Sequence, residues 1–189
     1  MFKYVFNLLI LAILSSCDPN LSSSFLPKAQ SQINQNKISQ QNQNSTSNLI
    51  KMAYWVVINE SAKLQAACNI YVMRVLESLG FNITQGFLAN DFDLYAKKNI
   101  KNYKQVFFTE TTELKRHLWS YPEREGFIIQ WKRKNGPGHI AIVERVGDQL
   151  YAYQASLNRY HARINETNIE TLLAMNGTKG LTVFSEISN

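Results

Sequence analysis

The sequence predicts an α+β domain over residues 49–189, in which a helix leads into a run of antiparallel strands. Two stretches carry this prediction: an amphipathic helical pattern in residues 68–79 and a strand-turn-strand pattern in residues 139–155. A helix that precedes a series of strands is typical of the α+β class. About 140 residues is the size of one ordinary domain, so a single core is expected.

The helical pattern has its apolar residues on one face. They follow at Cys68, Val72, Val75, Leu76 and Leu79. These are positions i, i+4, i+7, i+8 and i+11 of one helix side, and Gly80 stands where a left-handed C-terminal cap is expected. The spacing therefore places Cys68 in the first turn of the helix, on its buried side. The partial positive charge of a helix N-terminus favours a thiolate there, and the thiolate is the nucleophile.

Weaker patterns predict the other elements of the domain. Helices are expected at residues 91–98, at residues 112–119 and from the capping box Thr167-Asn-Ile-Glu170 to Met175. Strands are expected at residues 105–109, 127–133, 160–164 and 181–187, with a breaker-rich turn at 134–138.

The hairpin pattern gives a geometric expectation for the site. A two-residue turn at Gly147-Asp148 sets the pairing of the two strands. Because strand side chains alternate between faces, His139 then shares its face with Gln154 and Ser156. The remaining residues of that face are small and apolar: Ala141, Val143, Leu150 and Ala152. We therefore expect this face to pack on the Cys68 helix and to bring the thiol and the imidazole together.

The start of the chain has the pattern of an exported lipoprotein. A positive residue, Lys3, precedes an apolar run over residues 4–14 that is short for a membrane span. The run ends in Leu14-Ser-Ser-Cys17, which resembles the lipobox of bacterial lipoproteins. The resemblance implies a signal peptide over residues 1–17, a lipid anchor on Cys17 and localisation in the cell envelope at the periplasmic membrane face. Asp18 resembles a signal for retention at the inner membrane.

The alternative is an ordinary secreted protein with a stray cysteine near its cleavage site. In either case, residues 18–48 are rich in Ser, Asn and Gln and poor in apolar residues. Such a segment buries too little surface to offset its ordering entropy, so it is predicted to be a disordered tether. Its roughly thirty residues span on the order of 30 Å as a coil, or serve as a spacer with no length requirement.

The chain is basic, with a net charge of +6. A basic surface can attract nucleic acid, anionic lipid or an acidic polymer. The Lys and Arg residues are scattered, and neither of the denser groups, at residues 97–104 and 132–134, accompanies a nucleic-acid motif. We therefore expect no nucleic-acid partner and favour a carboxylate-bearing cell-wall polymer.

Cys68 is the second of two cysteines, and a lipidated Cys17 would leave it without an intramolecular partner. A cysteine is predicted to be a nucleophile only with a histidine elsewhere, and is otherwise a small buried apolar residue. Two sequence blocks supply that context: Cys68-Asn-Ile-Tyr-Val72 with Gly80-Phe81, and Gly138-His-Ile-Ala-Ile-Val143. In this order they resemble the signature blocks of the CHAP and NlpC-type cysteine amidases and peptidases. Those enzymes are papain-like α+β proteins that cut amide bonds in peptidoglycan.

The resemblance implies roles for several residues. Cys68 would be the nucleophile, His139 the base and Gln154 the residue that orients the imidazole. Glutamine departs from the family pattern, so Ser156 and Asn158 remain alternatives for this third role. Asn69, beside the nucleophile, and Trp131, on the strand before His139, are candidates for substrate contacts.

The resemblance implies neither a metal nor another cofactor. His117 and His161 lack partners at metal-ligand spacing, so both are expected to be surface or core histidines, with His161 as a reserve base. Two alternatives stay open: a lipid-anchored cell-wall-binding module with little or no turnover, and an acyltransferase that uses the same Cys-His pair. Besides peptidoglycan and the membrane, an inhibitor or immunity protein is a candidate partner.

Overall fold

A computed structural model describes residues 46–60, 67–155, 162–175 and 180–188. Five α-helices and a short 3-10 helix lie within these ranges: α1 Asn48–Glu60, α2 Cys68–Ser78, the 3-10 helix Ala89–Asp91, α3 Phe92–Asn99, α4 Thr111–Trp119 and α5 Ile169–Ala174. The strands are β1 Asn102–Phe108, β2 Gly126–Trp131, β3 His139–Val146, β4 Gln149–Ala155, β5 Ala162–Thr167 and β6 Leu181–Ser188. The predicted signal peptide with Cys17, and the predicted tether up to residue 45, lie outside the described residues.

The six strands form one sheet in the order β1-β6-β2-β3-β4-β5, and every neighbouring pair is antiparallel. The helices cover this sheet, so the prediction of an α+β domain is confirmed. β3 lies inside the sheet, between β2 and β4. Its first six residues are all buried, which means that both of its faces are covered.

The two faces of the sheet carry two separate cores. Helices α1, α2 and α3 pack on one face, which we call the Cys68 face, against residues that include Ile128, Ile142, Tyr153 and Phe184. Helices α4 and α5 pack on the other, which we call the His139 face, against residues that include Ile129, Val143, Ala152 and Val183. The sheet therefore separates two helical layers.

The local signals of the hairpin and of α2 lead to the expected structures. Val146 pairs with Gln149 around a turn in which Gly147 has a φ of 60°. At the end of α2, Gly80 has a φ of 87° and the amide of Phe81 donates to the carbonyl of Leu76. A residue with a side chain rarely adopts these left-handed φ values, so glycine is required at both positions.

The boundaries of the other elements shift by a few residues. The predicted capping box is replaced by a cap at Asn168, whose Oδ1 accepts a hydrogen bond from the amide of Thr171 at 2.7 Å. Thr167 is instead the last residue of β5. The sequence patterns above predict no helix for the residues that form α1. It forms because Leu49, Ile50, Ala53, Val56 and Val57 make one buried face at helical spacing.

Candidate functional site

Cys68 is the first residue of α2, as its spacing predicts. The preceding Ala67 is extended and has no side-chain oxygen to cap the helix, while its carbonyl accepts the first helical hydrogen bond from Tyr71 at 3.1 Å. The first amides of a helix have no acceptor within the helix and carry its partial positive charge. These amides would therefore stabilise an anion on the Cys68 sulfur, or on the oxygen of a carbonyl group whose carbon atom the sulfur attacks.

Cys68 is fully buried and belongs to the core of the Cys68 face. Ile140 of β3, Ala155 at the end of β4 and Ala162 at the start of β5 belong to the same core. The nucleophile candidate therefore lies in the core that α1, α2 and α3 form with this face of the sheet.

The neighbours of Cys68 tie this helix end to the rest of the domain. Asn69 Nδ2 donates to the carbonyl of Phe87 at 2.8 Å, and the Tyr71 hydroxyl donates to the carbonyl of Ala53 in α1 at 2.8 Å. Asn69 is buried. Its amide nitrogen is thus used to hold the chain ahead of the 3-10 helix, and its predicted substrate contact stays a prediction.

His139 and Gln154 are in contact, as their predicted shared face requires. His139 Nε2 and Gln154 Oε1 lie 2.7 Å apart, and both side chains are buried. A side-chain carbonyl accepts, so the geometry assigns the proton of this hydrogen bond to Nε2. The other ring nitrogen, Nδ1, is then the one able to accept a proton when the ring is neutral.

The imidazole of His139 also stacks near Trp131, with ring centroids 5.3 Å apart. Trp131 Nε1 donates to the carbonyl of Leu172 in α5 at 2.6 Å, and the indole is fully buried in the core of the His139 face. Trp131 is therefore a core residue in this structure, and its predicted substrate contact stays a prediction.

The expectation that the face of His139 packs on the Cys68 helix is wrong. Ala141, Val143 and Ala152, which share that face, pack with α4 and α5, whereas Cys68 packs with Ile140 on the opposite face. The structure thus brings His139, Gln154 and Trp131 together and leaves Cys68 in the other core. The catalytic role of His139 stays a prediction, and it no longer has the support of a shared face.

Three residues that the sequence offered for the site lie outside the described residues: Ser156, Asn158 and His161. All three belong to the segment between Ala155 and Ala162, which pair with each other in the sheet and share the core of Cys68.

Asn90, which the sequence analysis did not single out, fixes the loop that leads into His139. Its Oδ1 accepts from the amide of Arg133 at 3.0 Å, and its Nδ2 donates to the carbonyl of Gly136 at 2.8 Å. Gly138 packs so closely on the side chain of Asn90 that an added Cβ would lie 2.2 Å from Asn90 Oδ1. No local pattern marks Asn90, because its partners are more than forty residues away in the chain.

A second buried polar pair lies on the Cys68 face of β3 and β4. The Tyr153 hydroxyl donates to Glu144 Oε1, while Glu144 Oε2 has no hydrogen-bond partner among the described residues. Burial raises the pKa of Glu144, and burial together with the nearby carboxylate raises the pKa of Tyr153. The sequence carries a signal for this pair, since Glu144 is a charged residue on the strand face that Ile140 and Ile142 make apolar.

His117 lies in α4 among the rings of Phe108, Tyr121 and Phe127. Its Nε2 is buried without a hydrogen-bond partner in the described part of the chain, and burial lowers the pKa of His117. His117 is therefore partly buried at the edge of the core of the His139 face, between the two roles expected for it.

No family model, curated protein or solved structure matches this chain. Within the described ranges, no helix is long and apolar enough to cross a membrane, and no three His, Cys, Asp or Glu side chains are grouped as metal ligands. The residues described above are therefore the basis for a functional proposal.

Proposed function

We propose that this chain is a cysteine-dependent hydrolase of amide bonds in peptidoglycan stem peptides, with Cys68 as its nucleophile. The observation that carries the proposal is the position of Cys68 at the first residue of α2, a helix that packs on an antiparallel sheet. The order of a cysteine-initiated helix followed by a histidine-initiated strand, β3, supports a papain-like domain of the NlpC or CHAP type.

In the proposed reaction the Cys68 thiolate attacks the carbonyl carbon of a stem-peptide amide. The carbonyl oxygen becomes an oxyanion, which the first amides of α2 stabilise. A protonated histidine gives its proton to the leaving amine, the carbon-nitrogen bond breaks and a thioester forms on Cys68. Water then attacks the thioester, releasing the carboxylic acid and restoring the thiol.

Two histidines are candidates for the base. His139 is the candidate from the motif, and its Nδ1 is the nitrogen left available by Gln154. His161 is the reserve candidate from the sequence, and it lies outside the described residues. Because His139 packs beside Trp131 in the core of the His139 face, each histidine has to be removed in turn to identify the base.

Digestion of purified peptidoglycan by the detergent-solubilised full chain tests the proposal. We expect soluble fragments whose masses identify a cleaved amide, and no fragments from the Cys68→Ala variant. Cys17→Ser is the matched control, since it removes the other cysteine and should still digest the polymer. Equal digestion by the wild type and Cys68→Ala would refute the proposal.

A second candidate function is a peptidoglycan-binding module without turnover. The complete burial of Cys68, and the packing of its helix on the face opposite to the one that holds Ala141 and Val143, favour this alternative. The same experiment distinguishes it from the hydrolase: wild type and Cys68→Ala would both sediment with intact polymer, and neither would release fragments. An acyltransferase would instead form a new amide or ester when an acceptor amine or hydroxyl is added, with little release of free acid.

A further inference from the structure

A groove of about 650 Å³ lies on the His139 face, remote from Cys68. It runs between α4, the β3-β4 turn and the start of α5, and we call it the α4-α5 groove. The β3-β4 turn is at the opposite end of the hairpin from His139 and Ala155. Seven residues of strand separate these two ends by roughly 23 Å. The groove is therefore distinct from the candidate active site.

The two walls of the α4-α5 groove carry opposite charges. Lys115 and Arg116 project from α4 on one wall, while Asp148 of the turn and Glu170 of α5 line the other. No salt bridge joins any of these four side chains to a carboxylate or cation elsewhere in the described ranges. Both walls therefore keep their charges available to a ligand.

Trp119 adds an aromatic surface to the cationic wall. Lys115 Nζ lies 5.4 Å from the centroid of its ring, and the guanidinium carbon of Arg145 lies 5.5 Å from it. These cation-π contacts hold positive charge beside the indole, where it can meet a carboxylate of a ligand whose apolar part packs against the ring. The wall thus offers apolar contact and positive charge at the same place.

We propose that the α4-α5 groove binds a short peptide that carries both an ammonium group and a carboxylate. The carboxylate would face Lys115 and Arg116, and the ammonium would face Asp148 and Glu170. A ligand with negative charge alone would be repelled by the acidic wall, and one with positive charge alone would be repelled by the basic wall. The groove volume lies within the range of about 300–1,000 Å³ that small-ligand sites have.

A peptidoglycan stem peptide has this chemistry, because it combines free carboxylates with an amine. This choice of ligand rests on the proposed function. An extended stem of four residues spans about 14 Å. This is less than the roughly 23 Å that separate the β3-β4 turn from the other end of the hairpin, at His139 and Ala155. The groove would therefore hold a different stem from the one that is cut, and would keep the domain on the polymer between cleavages.

The test is isothermal titration calorimetry of the full chain with the tripeptide L-Ala-γ-D-Glu-meso-diaminopimelate. The Cys68→Ser variant prevents turnover, and the wild type, with the peptide checked by mass spectrometry, is used if this variant does not fold. We expect binding that weakens at least tenfold when the peptide amines are acetylated, and at least tenfold when its carboxylates are amidated.

Variants of each wall should weaken the binding at least fivefold: Lys115→Gln with Arg116→Gln on one side, and Asp148→Asn with Glu170→Gln on the other. Two single variants are matched controls, each with the fold checked by circular dichroism. Glu113→Gln changes a charge of α4 that does not line the groove, and Lys51→Gln changes an exposed charge of α1. Both should bind as the parent chain does.

Several results would overturn the proposal. These are no heat of binding at millimolar tripeptide, unchanged affinity in both wall variants, or tighter binding after acetylation, which would identify a simple anion site. The digestion assay remains independent of these results. Tripeptide binding without peptidoglycan hydrolysis would support the proposed ligand of the groove and refute the proposed hydrolase. Hydrolysis without tripeptide binding would support the hydrolase and refute the proposed ligand of the groove.

Discussion

The two faces of the sheet hold two different halves of the chemistry that the sequence suggested. The Cys68 face has a thiol at the start of α2, whereas the His139 face has an imidazole fixed by Gln154 and Trp131. Cys68 belongs to one core, whereas Ala141 and Val143, which share the face of His139, belong to the other. The comparison teaches that matching motifs do not make a catalytic pair until the packing places both on one side.

The largest expected effect concerns the choice of base. We expect Cys68→Ala to lose at least on the order of 10³-fold in peptidoglycan hydrolysis, and the variant that removes the base, His139→Ala or His161→Ala, to lose about 10²- to 10⁴-fold. The other histidine variant should lose less than about tenfold at temperatures where it remains folded. The measurement is the initial rate of fragment release, with circular dichroism as the control for folding. A loss of about 10²-fold or more in the hydrolysis rate of a folded His139→Ala chain would identify His139 as the base.

A matched pair of substitutions compares the two cores. Trp131→Phe and Tyr71→Phe each remove one buried donor and leave a backbone carbonyl, of Leu172 or Ala53, without that partner. We expect a loss of about 2–4 kcal/mol in the free energy of unfolding for Trp131→Phe, since it also removes volume, and about 1–2 kcal/mol for Tyr71→Phe. Urea denaturation measures both. A smaller loss for Trp131→Phe would mean that the His139 face is the more loosely packed one.

Gln154→Leu tests the hydrogen bond inside the His139 face. It removes the carbonyl that accepts from His139 and leaves a buried ring nitrogen unpaired, so a destabilisation of about 1–3 kcal/mol is expected. Gln154→Glu is the comparison, because it keeps the accepting oxygen. Equal unfolding free energies for wild type and Gln154→Leu would show that the contact contributes nothing to folding.

The smallest effect is a pH dependence on the Cys68 face. Burial raises the pKa of Glu144, which faces Tyr153 with Arg124 and Tyr71 nearby, so the folded chain resists ionisation of this carboxyl more than the unfolded chain does. Stability is therefore lost as the pH rises above the unfolded pKa of about 4.3, by about 1.4 kcal/mol for each unit of upward shift. Glu144→Gln cannot ionise, so its melting temperature should exceed that of the wild type at pH 8 and match it near pH 4. A wild type that is relatively more stable at pH 8 would contradict the raised pKa.

Local features of the fold could be predicted from the sequence. The hairpin and the C-cap of α2 were predictable because a Gly-Asp turn and a glycine after an apolar helix face act through neighbouring residues. α1 was not predicted, since Trp55 and Ile58 put apolar side chains on its exposed side and obscured its periodicity.

The packing of the site could not be predicted in the same way. β3 is apolar on both faces, with Ile140 and Ile142 on one and Ala141 and Val143 on the other. A strand buried on both sides has no pattern that tells which helix covers which face. The shared face of His139 and Gln154 followed from alternation alone, whereas the position of Cys68 depended on contacts between distant parts of the chain.

The pH dependence of the alkylation of Cys68 tests most directly whether this residue is a nucleophile. Iodoacetamide reacts with the thiolate, and mass spectrometry of the peptide that contains Cys68 separates its labelling from that of Cys17. We predict a midpoint below the value of about 8.5 of an ordinary thiol, moved upward in the variant that removes the base, His139→Ala or His161→Ala. A wild-type midpoint at or above about 8.5 would identify Cys68 as an ordinary buried thiol and contradict the proposed hydrolase.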